Sequence, residues 1–247
     1  MSDTVLTETD GEIALIRLNR PQRRNALTVE LLDALARELD RIERDESVRA
    51  LVITGNAQAF SAGQDLKEPE PPSFVQRINQ VFNRIDDFSK PTVAAIAGWC
   101  IAGGLELALV CNARIAARGA RIGDWHARIN SIGGAGATVR LVRLLGLARA
   151  TELVLSGVAL DAEAAMAIGL VNAVVPAPDL IPAAIERARG FCVGNAQTVR
   201  QAKRALKAAS DLALADALAF SLERQAELRQ TMSASFTDQF AQRPRDR

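Results

Sequence analysis

The chain lacks a charge imbalance: 30 Lys and Arg face 29 Asp and Glu among 247 residues, a formal charge of +1. That balance gives no global attraction to nucleic acid or to anionic lipid, and it points to a small, local ligand. Cysteine is scarce and unmatched. Cys100, Cys111 and Cys192 are widely spaced, odd in number and free of CxxC or Cys/His ligand patterns. No disulfide framework and no metal site follow from them, and a reducing cytoplasm suits them. The opening MSDTVLTETDGEIALIRL is acidic and lacks the basic-then-apolar layout of a secretory signal. The one apolar stretch of bilayer length, Thr92 to Val110, contains three glycines and Glu106, and a charge within a span is costly. A buried strand, a glycine turn and a buried helix explain the same residues more cheaply. There is no internal repeat of 20 to 50 residues, and Gly134-Ala135-Gly136 lacks the third glycine of a dinucleotide loop.

What is present is an ordinary globular composition, 49% hydrophobic and 24% charged, in a chain long enough for a main domain with a smaller appendage. The first part alternates strand and helix patterns. Glu12 to Leu18 reads as a strand. Thr28 is placed to cap a helix carrying Leu31, Leu32, Leu35 and Leu39 on one face. Ala50 to Gly55 and Pro91 to Ile96 read as further strands; between them a proline-rich loop, 69–72, precedes a helix from Phe74 to Phe88. This alternation predicts a largely parallel sheet covered by helices, an α/β core. From Gly134 onward helices dominate, at 136–145, 148–155, 161–167, 179–192, 196–208 and 213–230, with a short strand at 170–175. The boundary expected is a core over 1–190 and a helical region over 191–247. Arg200, Lys203, Arg204 and Lys207 form a basic stripe best read as a solvated helix face.

The chemistry concentrates in CIAGGLELALVC, Cys100 to Cys111. Two glycines ahead of a helix let a ligand approach the backbone and leave first-turn N–H groups free to hold an oxyanion at the helix's positive end. Glu106 follows within that turn. Read alone, it either complements the helix dipole or, in apolar surroundings that raise its pKa, serves as an acid/base. A second loop, Phe60-Ser61-Ala62-Gly63-Gln64-Asp65-Leu66, again offers small residues where backbone meets ligand.

These segments together resemble the enoyl-CoA hydratase/isomerase, or crotonase, family. The resemblance runs through NRPQRRNAL at 19–27, FSAGQDL at 60–66, KPTVAAIAGWCIAGGLELALVCN at 90–112 and RATELVLSGVALDAEAAMAIGLVNAVVP at 149–176. It implies a spiral of repeated strand-strand-helix units with a C-terminal trimerisation region, trimers often paired into hexamers, and an acyl-CoA substrate with no further cofactor. It matches the two oxyanion-holding amides to Ala62 and Gly103 and the first catalytic glutamate to Glu106. The coenzyme A segments match Arg24 to Leu27, including Ala26, and Gln64, Asp65 and Leu66; a basic residue that reaches coenzyme A phosphates matches Arg243. The activity implied is hydration of a 2-enoyl-CoA.

One departure stands out. Hydratases of the family carry a second glutamate in a segment resembling FGxPE; here Arg121-Ile122-Gly123-Asp124-Trp125-His126-Ala127-Arg128 places the sole histidine, His126, at that position. His126 has three readings: an acid/base, a residue that shapes the acyl pocket or orders water, and a structural histidine. The Trp125-His126 pair also resembles aryl-CoA dehalogenases of the same fold, but Gly133-Gly134-Ala135-Gly136 supplies no attacking carboxylate. Trp125 and Gly134 are expected to line the acyl site, and Gly133 replaces a proline usual in this loop. Isomerisation, decarboxylation, retro-aldol cleavage, thioester hydrolysis or acyl-CoA binding without turnover stay open beside hydration.

Overall fold

Short runs of small and branched apolar residues in the first half are buried on both faces, as parallel strands between helices require. A computed structural model describes residues 4–68 and 71–231. In chain order the elements of the first unit are β1 (Val5–Asp10), β2 (Ile13–Leu18), α1 (Val29–Arg44), β3 (Ala50–Thr54), β4 (Ala59–Ser61), α2 (Phe74–Asp86), β5 (Thr92–Ile96), β6 (Trp99–Ile101), α3 (Gly103–Leu109), β7 (Ala113–Ala117) and β8 (Arg121–Gly123). They continue with α4 (Ala137–Leu145), α5 (Leu147–Ser156), β9 (Leu160–Asp161), α6 (Ala162–Ala167), β10 (Ala173–Val175) and α7 (Leu180–Gly190). The chain divides after Val193, and the second unit holds α8 (Ala196–Asp211) and α9 (Leu214–Thr231).

The larger sheet has the order β1-β2-β3-β5-β7-β10, the smaller β4-β6-β8-β9. Among the paired strands of the described residues, only β1 with β2 and β8 with β9 run antiparallel. The strand-strand-helix repeat is plain in this order: β3, β5 and β7 enter the larger sheet, and each is followed by β4, β6 or β8 in the smaller one. The α/β fold with spiralling repeats is therefore as the resemblance implies.

Alternate residues of the larger sheet face two apolar clusters. Ile13, Leu15, Val52, Val93 and Ile115 meet Leu180, Ala184 and Ala188 of α7. Ile16, Leu18, Leu51, Ile53 and Ile96 share the other cluster with residues of α1, α2 and α3. Helix α1 buries Leu31, Leu32, Leu35, Leu39 and Ile42, each contributing about 1.5–3 kcal/mol. Its start is set by Thr28, whose side-chain oxygen accepts the Leu31 N–H at 3.2 Å.

Differences from the sequence reading lie at the ends and in the short pieces. The strand expected over 170–175 is confined to Ala173–Val175, because Leu170 and Val171 bend back with their amides on the Ala165 carbonyl. The helix expected over 179–192 ends at Gly190. No helix among the described residues is long and apolar enough to cross a membrane.

Candidate active site

The site is assembled where three loops meet the first turn of α3. Ala102 caps this helix in a conformation rare for a side-chain-bearing residue, φ 50° and ψ −122°. Its carbonyl accepts the Glu106 N–H at 3.0 Å, so the turn that holds Glu106 is closed by a strained residue. Gly104 has no room for a side chain: a Cβ there would lie 2.1 Å from the Ser61 carbonyl oxygen. That fit presses α3 onto the end of β4 and brings Gly103 against the loop that follows.

In that loop Gly63 takes φ +85°, and Gln64 forms an isolated parallel bridge with Leu27. Leu27 N–H donates to the Gly63 carbonyl at 2.7 Å, and Asp65 N–H donates to the Leu27 carbonyl at 3.0 Å. In a parallel bridge the flanking residues make the bonds, so the N–H of Gln64 itself points away from Leu27. It points to the side where Gly103 lies: a Cβ on Gly103 would stand 3.7 Å from Gln64 N, and one on Gly63 would stand 3.0 Å from Gly103 N. The two neighbouring amides are therefore those of Gly103 and Gln64.

Ala62 is a correction to the sequence reading. Its N–H donates to the Arg24 carbonyl at 3.0 Å, in a stretch further zipped by Ser61 Oγ to the Asn25 carbonyl at 2.8 Å. That amide is already committed and cannot also serve a ligand. Asp65 is corrected too. Its side chain is only 6% exposed and pairs with Arg20 at 3.0 Å and with Arg23 at 3.5 Å, bracing the loop rather than facing a ligand. Ala26 and Leu27 are buried, with the Ala26 carbonyl bound by Arg20 at 2.7 Å; they offer a wall and no free backbone group. Arg24 and Leu66 are exposed, and Gln64 is half-buried. Arg243 lies outside the described residues, as do residues 69 and 70 of the proline-rich loop.

Glu106 is 2% exposed, and its two oxygens are used differently. Oε1 accepts the Ala135 N–H at 2.8 Å and the Ala137 N–H at 3.0 Å. Oε2 faces His126 Nε2 at 3.9 Å. Burial pushes the Glu106 carboxyl above its ordinary range; the Ala137 and Ala135 amides and His126 offset this in part, and Asp124 adds to it. Gly133 is accounted for by the same geometry, since a Cβ there would come within 2.7 Å of Glu106 Oε1.

His126 begins a 3-10 turn, His126–Ile129, and its Nδ1 meets Asp124 Oδ1 at 2.5 Å. The same oxygen accepts the His126 backbone N–H at 3.1 Å. Asp124 is fully buried. Burial lowers the affinity of the His126 ring for a proton, but the Asp124 hydrogen bond and the charges of Asp124 and Glu106 outweigh it, and the ring's pKa is raised. Asp124 is the site residue that sequence reasoning missed; the signal was a carboxylate two residues from the only histidine.

Trp125 packs edge-on against Trp99, with ring centres 5.3 Å apart, and carries the Arg128 guanidinium over its face at 5.5 Å. Its Nε1 is buried without a hydrogen-bond partner among the described residues. Gly134 is exposed, its carbonyl bound by Asn79 at 2.6 Å. The structure thus gathers Gly103, Gln64, Glu106, Asp124 and His126, with residues 133–137 closing over the carboxylate. Two outward amides beside a buried carboxylate and an imidazole can hold an oxyanion and move protons next to it. Among the described residues no group of three or more His, Cys, Asp or Glu is placed to hold a metal ion.

Comparisons with known proteins place the chain in a family and a fold. A family model described as enoyl-CoA hydratase/isomerase matches residues 8–242. The chain is 35% identical over 222 residues to a probable enoyl-CoA hydratase of Mycobacterium tuberculosis, covering 88% of this chain and 86% of that protein. It is 35% identical over 223 residues to the 2,3-dehydroadipyl-CoA hydratase of Escherichia coli, covering 89% and 87%. Among solved structures, an enoyl-CoA hydratase from Bacillus anthracis superposes with a TM-score of 0.89 at 33% identity over 92% of each chain. Fold and near full-length similarity converge, and the chain belongs to the enoyl-CoA hydratase/isomerase family.

Proposed function

We propose that this protein hydrates a 2-enoyl-CoA, reversibly. The observation that carries the reading is the division of labour within Glu106: Oε1 is pinned by two amides, while Oε2 is left facing His126 within the same turn that presents the Gly103 N–H. The substrate's thioester oxygen sits between the N–H groups of Gly103 and Gln64, which take up the charge that develops there, an effect of about 3–4 kcal/mol for each well-placed donor. A carboxyl raised by burial and held in one orientation suits the base that takes a proton from the attacking water.

Trp125 and residues 133–134 border the acyl group. Arg24 is exposed and unpaired among the described side-chain bonds, which suits the phosphates of coenzyme A; Arg243 is proposed for the same role. The coenzyme A thioester is itself the substrate, with no separate cofactor. We extend the family's habit of assembly to this chain as a homotrimer or a pair of trimers through the helical C-terminal region, in a reducing compartment such as the cytoplasm, where the three free thiols are at home.

Purified protein is incubated with short, long and aromatic 2-enoyl-CoAs, and loss of the conjugated thioester absorbance is followed beside the Glu106→Gln variant. Hydration of at least one substrate by the unaltered protein, lost in Glu106→Gln by about 10²–10⁴-fold, is the expected result. A product lacking added water transfers the site to a sister reaction, and binding with no product from any substrate overturns turnover altogether.

A further inference from the structure

We propose that Asp124 is a positioning residue that fixes the orientation and proton of His126, so that the imidazole, facing Glu106, supplies the second proton transfer of the reaction. The inference rests on the hydration reading for its chemistry, and on geometry alone for the Asp124–His126 unit. The line runs from Asp124 Oδ1 to His126 Nδ1 at 2.5 Å, across the ring, and from Nε2 to Glu106 Oε2 at 3.9 Å. Asp124 is fully buried, and its second oxygen has no hydrogen-bond partner among the described residues. The His126 side chain is 12% exposed. A fully buried carboxylate with a single side-chain partner favours a positive ring beside it.

The bond to Oδ1 keeps the Nδ1 proton in place, so the exchangeable position is Nε2, on the side where Glu106 lies. The groups whose charges act on the ring are Asp124 and Glu106; Arg128 is turned onto Trp125 and donates its Nε–H to the Gly157 carbonyl.

The proton balance closes. Glu106 takes one proton from water as the water oxygen forms its bond to the β-carbon. The double-bond electrons shift toward the α-carbon and the thioester oxygen, held as an enolate by the Gly103 and Gln64 amides. The enolate returns its electrons to form the α-carbon–hydrogen bond with the proton on His126 Nε2. The product is the 3-hydroxyacyl thioester, leaving a neutral imidazole and a protonated Glu106. Passage of that proton from Glu106 to His126 restores the starting state.

A merely structural Asp124 would only close the turn through the His126 backbone N–H. Asp124→Asn keeps an oxygen for that turn and removes the charge, so it separates the two roles. Because His126 is the only histidine, its nitrogen and ring-proton NMR signals in the intact, uniformly labelled protein need no assignment. The expected result is a ring that titrates above 6.5 with Nδ1 protonated in its neutral form, and a fall of about one pH unit or more in Asp124→Asn. In hydration assays, Asp124→Asn is expected to lower kcat about 10²-fold or more with KM within about threefold, and to move the alkaline limb of the pH profile toward acid. Added to His126→Gln, it should cost nothing further.

An unchanged titration in Asp124→Asn, or an equal loss with and without His126, overturns the proposal. If no enoyl-CoA is hydrated by the unaltered protein, the hydration reading fails, and the NMR titration still decides whether Asp124 sets the state of the ring.

Discussion

Glu106 costs the fold something to keep. Its carboxyl is raised above 4.5 chiefly by burial, so its ionised form is disfavoured in the folded protein. The contribution is therefore most favourable below the unfolded value and is lost as pH rises through the folded one. Glu106→Gln keeps an oxygen for the Ala135 and Ala137 amides and carries no charge, so it should stabilise the protein at neutral pH by about 1 kcal/mol, or roughly 2–4 °C in Tm. The margin over the unaltered protein should shrink toward about pH 4. Thermal unfolding monitored by circular dichroism across pH checks both, and a lower Tm for Glu106→Gln at neutral pH would contradict the cost assigned here. Glu106 stood out in the sequence as a charge after two glycines in an apolar run, but alone it could as well complement the helix dipole, and the second loop and the family resemblance pointed to chemistry. The settings of Ala62 and Asp124 were not legible there. A main-chain donor is available only if no neighbour has claimed it, and the Arg24 carbonyl that claims Ala62 lies far away in sequence. An aspartate two residues from a histidine reads as an ordinary turn residue until its burial is known.

At the scale of elements, α3 is a short helix buried along its whole length, held at its start by two opposite steric demands. Ala102 occupies a backbone region that glycine tolerates better, and Gly104 occupies a place only glycine fits. Ala102→Gly should release strain, stabilising by about 1 kcal/mol after the entropy that glycine gains on unfolding is subtracted. Gly104→Ala should destabilise by about 1–3 kcal/mol, because the Ser61 carbonyl must move. The shift of the urea midpoint, upward for the first and downward for the second, is the measurement. The elements that the sequence disclosed are the helices long enough to show a period, α1 with its Thr28 cap and α2, and the mostly apolar, wholly buried β3 and β5. Strands β4, β6 and β8 are three residues each, too short for an alternation to register, and β1 is largely exposed and rich in acidic residues and threonine. The family resemblance implied repeated strand-strand-helix units, but none of these four strands was located in the sequence.

At the scale of the whole molecule the chain divides into the α/β unit and the α8–α9 pair. The pair is clasped by Gln201 to Glu227 at 3.1 Å and by Arg204 of α8, whose guanidinium lies 6.0 Å over the Phe220 ring of α9. Along α9, Leu214, Leu218 and Leu222 recur every four residues and are 77%, 58% and 66% exposed, an apolar row of the sort that association covers. With the trimer proposed above, Leu218→Glu combined with Leu222→Glu should lower the sedimenting mass to that of a single chain while leaving far-ultraviolet dichroism unchanged. An unaltered mass would remove this helix from the assembly surface.

The pairing of Leu27 with Gln64 has a practical outcome. A donor that belongs to the main chain survives every replacement of the residue that carries it, save by proline. Alanine scanning of residues 60–66 would therefore pass over half of the proposed oxyanion cradle without registering it. In the role proposed above for the Gln64 amide, position 64 can change its side chain while the donor stays in place, and only an ester in place of that one amide would expose its worth.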